Sequence, residues 1–474
     1  MKEDKDDLLP LIPFKIPFVG STFAYYANPP KFTIENTRRF GSVFRMHMHG
    51  DIATVVGSKD APEVFNHPSL SFSASQGKFL DNVAFHGEGE FTLPKNVITH
   101  VVMKYLTPNL KLHSPRSFEK FLSSVQQIKE DEFTKDNLLP FIRGFVARYS
   151  ATAFVGAELS ENLDLMNAFE NAVSDISHDF RPGVLRVIFP TLNHLYMRYF
   201  NRKGTALKKY RTMIKGALEQ EIIRREKNGL ESEEDALGYL LKAYPHEINN
   251  AHLETLTTVC LILIFVGVHT TSEATTYVMY RLVKHPKYIQ DLREEQEEAI
   301  QREIGTEYNR KEPVIYTPNI YRHLQKLDSF IHECMRTKMN GIGLGHKNIG
   351  QDDIQLQSGA TVQPGKEVFI NMWHVNHDPQ NLSGQQDLDK FRGFRFVGQD
   401  KLVTKTGHDN ISFGMGKHAC PGRWFAVHQI KGIVSFFIRH YDMSAVSEIK
   451  IMGAESDYIG TPQGSILFSR RTNQ

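Results

Sequence analysis

Cysteine is scarce in this chain: Cys260, Cys334 and Cys420 are the only three in 474 residues. Three thiols cannot build a disulfide framework, which suits a reducing compartment. They are scattered singly, whereas zinc takes three or four clustered Cys, His or carboxylate ligands. Charge bias is missing too. Lys and Arg total 56 against 54 Asp and Glu, so nothing global points to nucleic acid. Long apolar runs are absent. The longest, Val259 to Val268, falls far short of the ~20 residues that span a bilayer. The charged start, Met1 to Asp7, has no signal-peptide core. There is no internal repeat, low-complexity tract, obvious linker or nucleotide-binding glycine fingerprint.

What is present is a large apolar content, 41% with 32 Phe. A chain of this length exceeds the usual single core, so it holds two domains or one large domain around a cofactor. Ser42 to Ser58 predicts a hairpin, with Phe44, Met46 and Met48 alternating with Arg45, His47 and His49. Asp60 to Asn66 predicts a short helix. Leu70 to Asn96 reads as a long loop of the lid or binding kind. Helices dominate from Ile98. Leu207, Tyr210, Ile214, Leu218 and Ile222 keep helical spacing, as do Ile289, Leu292, Ile300 and Ile304. Ile354 to Ile370 is strand-rich, and Ile451 to Phe468 predicts a final hairpin. The fold class is mostly α with a smaller β-rich part, without βαβ alternation.

The most informative stretch is Phe413-Gly414-Met415-Gly416-Lys417-His418-Ala419-Cys420-Pro421-Gly422, or F-x-x-G-x-x-x-C-x-G. A helix-like run, Arg423 to Arg439, follows at once. Its N-terminal amides and dipole would favour the Cys420 thiolate. A thiolate pushes electron density through haem iron and favours O–O cleavage. Glycines let the backbone approach a flat macrocycle.

This loop resembles the haem-binding signature of the cytochrome P450 superfamily. The resemblance implies that fold, a single catalytic domain over 1–474 with 1–20 as lead-in, and haem b ligated by Cys420. The haem would lie between the long central helix and the Cys-loop helix. Phe413, Gly414 and Gly422 would flank it, and His418 would face a propionate where the family usually has arginine. Three further motifs extend the likeness. Glu333-Cys334-Met335-Arg336 matches E-x-x-R, and Arg395, in the aromatic segment Phe391 to Phe396, is its implied partner. Phe265-Val266-Gly267-Val268-His269-Thr270-Thr271 sits within a helical run of about Ala251 to Lys284. Gly267 and Thr270 match the family's oxygen-handling kink, and His269 replaces the usual acid. The resemblance gives Thr270 the delivery of protons to dioxygen, with His269 orienting the path. In Thr99 to Pro108, His100 and Lys104 stand where a propionate partner is expected, and so does His346 after E-x-x-R.

The likeness is strongest to fungal members that oxidise terpenoids, steroids and other secondary metabolites. The implied activity is hydroxylation of a lipophilic substrate with O2 and NADPH-derived electrons. No flavin domain is present, so a separate NADPH–cytochrome P450 reductase, with cytochrome b5 as a second donor, is the implied partner. Lys417, Arg423 and Lys431 would form its cationic docking face. Two alternatives stand beside this: a sterol 14α-demethylase-like enzyme, which shares His-Thr, and a haem-thiolate isomerase or dehydratase that does not use O2. A non-catalytic haem or lipid binder fits the motifs least. The implied substrate lining is Phe79, Leu80, Val83, Phe85, Phe265, Val266, Thr271, Ile342, Leu344 and Ile459, with Gly341, Gly343 and Gly345 leaving room for bulk. A monomer at a membrane surface is expected: the cytosolic face of the endoplasmic reticulum if an anchor has been removed, the cytoplasm otherwise.

Overall fold

The computed structural model describes residues 9–14, 19–48, 50–76, 91–94, 96–179, 206–229, 234–305, 308, 313–382, 384–452 and 458–471. Phe44, Met46 and Met48 alternate into the core from β1 (Phe44–Met48). The chain turns through Gly50, at φ +82°, into antiparallel β2 (Asp51–Val56). Only glycine adopts that φ without strain. The strands β3 (Leu70–Ser71), β5 (Ile342–Asn348) and β8 (Glu367–Asn371) complete one sheet, in the order β1-β2-β8-β5-β3. The β2–β8 pair is parallel. Parallel neighbours need a crossover, and here most of the helical middle is that crossover. The small ribbon β6 (Ile354–Gln355) with β7 (Thr361–Val362) stands apart.

The helical part runs through α1 (Leu110–Val125), α2 (Leu138–Val155), α3 (Leu163–Asp179), α4 (Ala206–Asn228), α5 (Asn250–Ile264), α6 (Thr270–Lys284), α7 (Ile289–Ile304), α8 (Gln325–Lys338) and α9 (Arg423–His440). The predicted stripe Leu207, Tyr210, Ile214, Leu218 and Ile222 is buried along α4. A single π-helical turn, Phe265–His269, joins α5 to α6. Together, Asn250–Lys284 form the one helix among the described residues that is long and apolar enough to cross a membrane. Its most apolar window has mean hydropathy 1.9, yet 67% of it is buried inside the protein. It packs against α2, α4, α8 and α9, as a core helix would.

Two expectations change. The last hairpin does not begin at Ile451. β10 (Ile466–Arg470) pairs antiparallel with β9 (Tyr441–Ala445), directly after α9, and with β4 (Glu132–Lys135) on its other edge. β4 is a short, polar edge strand with no apolar alternation to betray it. Within the predicted loop Leu70 to Asn96, Leu70–Ser71 form β3 and Phe72–Gln76 a short helix. A two-residue strand is created by its partner, here Asn348 and Lys347, not by local pattern.

Candidate active site

The cysteine loop is shaped by two glycines in the left-handed region. Gly414 has φ +72°, and a Cβ there would lie 2.9 Å from the His418 carbonyl. Gly416 has φ +56°, and a Cβ there would strike the Asn66 side chain. The loop closes where Cys420 N–H donates to Phe413 O at 2.7 Å. Cys420 is exposed, unlike Cys260 and Cys334, which are buried. Thr107 Oγ1 donates to Pro421 O (3.2 Å), tying the loop to the turn that carries Lys104. Gly422 packs near Val102, where a Cβ would make an ordinary 3.7 Å contact.

The helix N-terminus does less for the thiol than expected. Surrounding protein pushes the Cys420 thiol up, and this outweighs the Gly422 N–H, the Arg423 charge and the Arg423 N–H, all of which lower it. Desolvation disfavours the charged form and outweighs the helix dipole here. A coordinating metal would remove the proton outright.

Across the helical core, Val266 and Thr270 form an exposed face on a helix that is otherwise largely buried. They lie one turn apart, and Thr270 Oγ1 donates to Val266 O at 2.9 Å. Gly267 makes close packing possible: a Cβ there would lie 3.0 Å from Phe154 Cζ. Phe154 also meets Phe425 of α9, with centroids 6.0 Å apart. That one ring of α2, passed over in the sequence, packs against both the π-turn and the helix behind the cysteine. His269 Nε2 lies 3.6 Å from Glu273 Oε1, while its Nδ1 is buried without a hydrogen-bond partner.

Two of the candidate propionate partners come together. The rings of His346 and His418 meet edge to face at 5.0 Å. His346 Nδ1 bonds Leu344 O at 2.8 Å. The Nε2 atoms of both histidines are buried and unpartnered. Burial first, then His418 and Lys417, hold His346 down at about 4, against the opposing Leu344 bond. Burial and Lys417 also lower His418. His100 instead bonds Tyr244 Oη through Nδ1 at 2.8 Å, and Lys104 is exposed one turn on.

Glu333, Arg336 and Arg395 meet in one buried cluster. Arg336 donates twice to the carboxylate, at 2.7 and 2.8 Å. Arg395 Nε reaches both oxygens at 3.0 Å, and Arg392 N–H adds a fourth donor at 3.0 Å. Asn376 O, Lys390 O and Gln385 Oε1 occupy the outer guanidinium protons. Burial works to raise the Glu333 pKa. The bond and charge of Arg336, then Arg395 and the Arg392 N–H, outweigh it and hold the carboxyl low.

The expected substrate lining divides. Val266 and Ile459 are exposed and Phe265 is half-buried. Phe79, Leu80, Val83 and Phe85 lie outside the described residues. Ile342 and Thr271 are buried. Ile342 exchanges two hydrogen bonds with Tyr25 Oη and packs with Phe44 and Phe369 in the core. Leu344 packs against a second apolar cluster. The three glycines do not leave room. A Cβ would meet Tyr25 Oη at 3.1 Å from Gly341, Met372 Cε at 2.9 Å from Gly343, and Phe369 Cε1 at 2.6 Å from Gly345. Small residues here admit neighbours, not ligand. Lys431 also departs from expectation. It is buried in an ion pair with Asp328 (2.7 Å) and bonds Tyr321 O and Leu324 O. Lys417 is exposed, and Arg423 stacks on Trp424 while bonding Cys420 O and Thr404 O.

These residues suit haem. The accessible Cys420 thiol would supply one soft ligand to its iron. Val266, exposed at 54%, suits the apolar face of a macrocycle. The two orphaned imidazole nitrogens suit carboxylates at its edge.

Similarity to known proteins agrees. The chain is 28% identical to cytochrome P450 monooxygenase hepE of Aspergillus oryzae, over 89% of this chain and 77% of that one. It is 26% identical to cytochrome P450 monooxygenase paxP of Penicillium paxilli, over 92% and 84%. The fold matches that of the retinoic-acid-bound cyanobacterial CYP120A1, with TM-score 0.69 and 20% identity, over 98% of this chain and all of that one. The Cytochrome P450 family match runs from residue 10 to 468, so the chain belongs to the cytochrome P450 family of haem-thiolate monooxygenases.

Proposed function

We propose that this enzyme hydroxylates a lipophilic, polycyclic substrate of terpenoid or steroid type. The overall balance is substrate C–H, O2, two electrons and two protons, yielding C–OH and water. NADPH supplies the electrons through a separate flavoprotein reductase, with cytochrome b5 as a second donor. Bound haem supplies dioxygen binding and O–O cleavage. This chain's own residues do the rest. Cys420 holds the cofactor, with Phe413, Gly414 and Gly422 beside it. His418, His346, His100 and Lys104 are the candidate partners for its carboxylates. Phe265 and Val266 present apolar surface to the substrate, whose burial contributes roughly 25 cal/mol per Å². Thr270 orders water and passes protons, with His269 beside it. Glu333, Arg336 and Arg395 fix the register of the segment that leads into the cysteine loop.

One observation carries this reading: an accessible cysteine in its glycine loop, with Val266 and Thr270 as the exposed face of a buried helix. Thr270 favours oxygen chemistry over the isomerase or dehydratase alternative. After E-x-x-R, Thr337 to Gly343 depart from the hydrophobic, proline-bearing stretch of sterol 14α-demethylases. The enzyme works at a membrane surface, a reading supported by exposed Phe14, Phe23 and Tyr26. The test reconstitutes the haem-loaded protein with NADPH and reductase against a steroid and diterpene panel. Products that carry an atom of labelled O2 support the reading. Turnover that needs neither NADPH nor O2 overturns it.

A further inference from the structure

We propose that protons enter this site through Glu273 to His269, with Lys338 holding the Glu273 carboxylate in place, so that the acid serving Thr270 stands one helical turn beyond its usual place. This rests on the monooxygenase reading above. The reaction consumes two protons for each O2, and bulk water must not flood an apolar pocket to deliver them.

Lys338, Glu273 and His269 follow one another in space. Lys338 Nζ, at the end of α8, lies 3.4 Å from Glu273 Oε2. The other carboxylate oxygen, Oε1, lies 3.6 Å from His269 Nε2. That gap exceeds a direct hydrogen bond and matches a loose ion pair or a water bridge. These three side chains are between 24% and 35% exposed, so solvent protons reach them. The far nitrogen of the imidazole, Nδ1, is buried with no partner. Imidazole can accept a proton at one nitrogen and release one from the other. Nε2 is the solvent-side port here, and Nδ1 is the interior port. His269 closes the π-helical turn, and Thr270 follows it. π-turns mark functional positions because the extra residue disturbs the ladder locally.

The charged groups around His269 are few. Glu273 is on the next turn of its own helix. Arg143 of α2 lies close, set between Glu273 and the α3 carboxylates Glu170 and Asp175. Lys338 comes from α8. Burial lowers His269 most. Glu273 opposes this, while Arg143 and Lys338 add to it. Glu273 is therefore a positioning residue: it keeps His269 protonatable and aligned.

The test needs two variants whose effects oppose. Glu273→Gln removes the favourable charge and shifts the His269 pKa down. Lys338→Met removes an unfavourable one and shifts it up. NMR of the ferrous–CO protein carrying labelled histidine, assigned against His269→Asn, reads this without turnover. Coupling of NADPH to product should fall as pH rises through the His269 pKa, earlier in Glu273→Gln and later in Lys338→Met. On the acid side of neutral, where His269 still takes up a proton, Glu273→Gln should lose up to about 10²-fold in product per NADPH, the low end for a general acid, and Glu273→Asp should recover most of it. Shifts that are absent or share one direction overturn the relay, as does full coupling in Glu273→Gln. A wild type that binds haem but forms no NADPH-dependent oxygenated product overturns the monooxygenase reading instead, and with it any need for the relay.

Discussion

The Glu333 cluster and the Cys420–Thr270 region lie in one fold but are built on opposite terms. Glu333 is 0% exposed, and arginine and backbone donors surround its two oxygens. Around Cys420 the pattern reverses. The thiol is exposed, and His346, His418 and His269 each keep a buried nitrogen without a partner. A buried polar group left unpaired costs roughly 1–3 kcal/mol. Such atoms occur elsewhere too, at His113, His332 and Trp373; what sets this region apart is that two of them, on His346 and His418, belong to rings that meet beside the cysteine loop.

The sharpest way to break this contrast is Cys420→Ala. It should abolish the long-wavelength ferrous–CO band of a thiolate ligand while leaving the apoprotein's far-UV dichroism unchanged. A retained band would remove Cys420 as ligand. Glu333→Gln should do the reverse. It leaves Arg336 and Arg395 buried and uncompensated, a loss of about 3–5 kcal/mol, seen as a depressed unfolding midpoint or loss of soluble protein. A Glu333→Gln protein of unchanged stability would show that the cluster is not structural.

Thr270→Ala should keep haem and fold. It should lower product per NADPH by about 10²-fold or more, with peroxide rising, because proton delivery fails. Gly345→Ala sharpens the boundary between core and pocket. Its new methyl meets Phe369 and Ser75 at 2.6 and 2.7 Å, so it should cost roughly 1–3 kcal/mol of stability. If it instead narrowed the substrate range at full stability, the glycine would belong to the pocket after all.

The effect that is smallest per residue is a pH dependence. Burial holds His113, His346, His377 and His440 at about 4, and His428 at about 3. Their folded pKa values lie below the unfolded value of about 6.5. The unfolded chain therefore binds more protons as pH falls from about 6.5 towards 4, and stability falls with it. Each contributes on the order of 1 kcal/mol near pH 5. Denaturant midpoints from pH 8 to 5 should fall, less steeply in His428→Gln. A flat profile would mean that these rings are solvated.

The motifs were legible because their chemistry sits in adjacent residues. The F-x-x-G-x-x-x-C-x-G spacing marks Gly416, whose positive φ needs glycine, while the same need at Gly414 shows only in the folded loop. The stripe on α4 and the β1–β2 hairpin follow from local period. Other features depended on partners far along the chain. β4 and β3 are strands only because β10 and β5 pair with them. Gly341, Gly343 and Gly345 read as open space, but Tyr25, Met372 and Phe369 fill it from other elements. Lys431 reads as a surface charge until Asp328 and two carbonyls enclose it.

Sequence alone determined the cysteine loop, the E-x-x-R pair and the family they imply, and it singled out the threonine on the central helix, since each is a short-range pattern. Tertiary structure decided which histidines meet, which lysine is buried, where the glycines' space goes and which acid stands near His269. Those outcomes depend on desolvation and packing between segments distant in sequence, and only the folded chain brings them together.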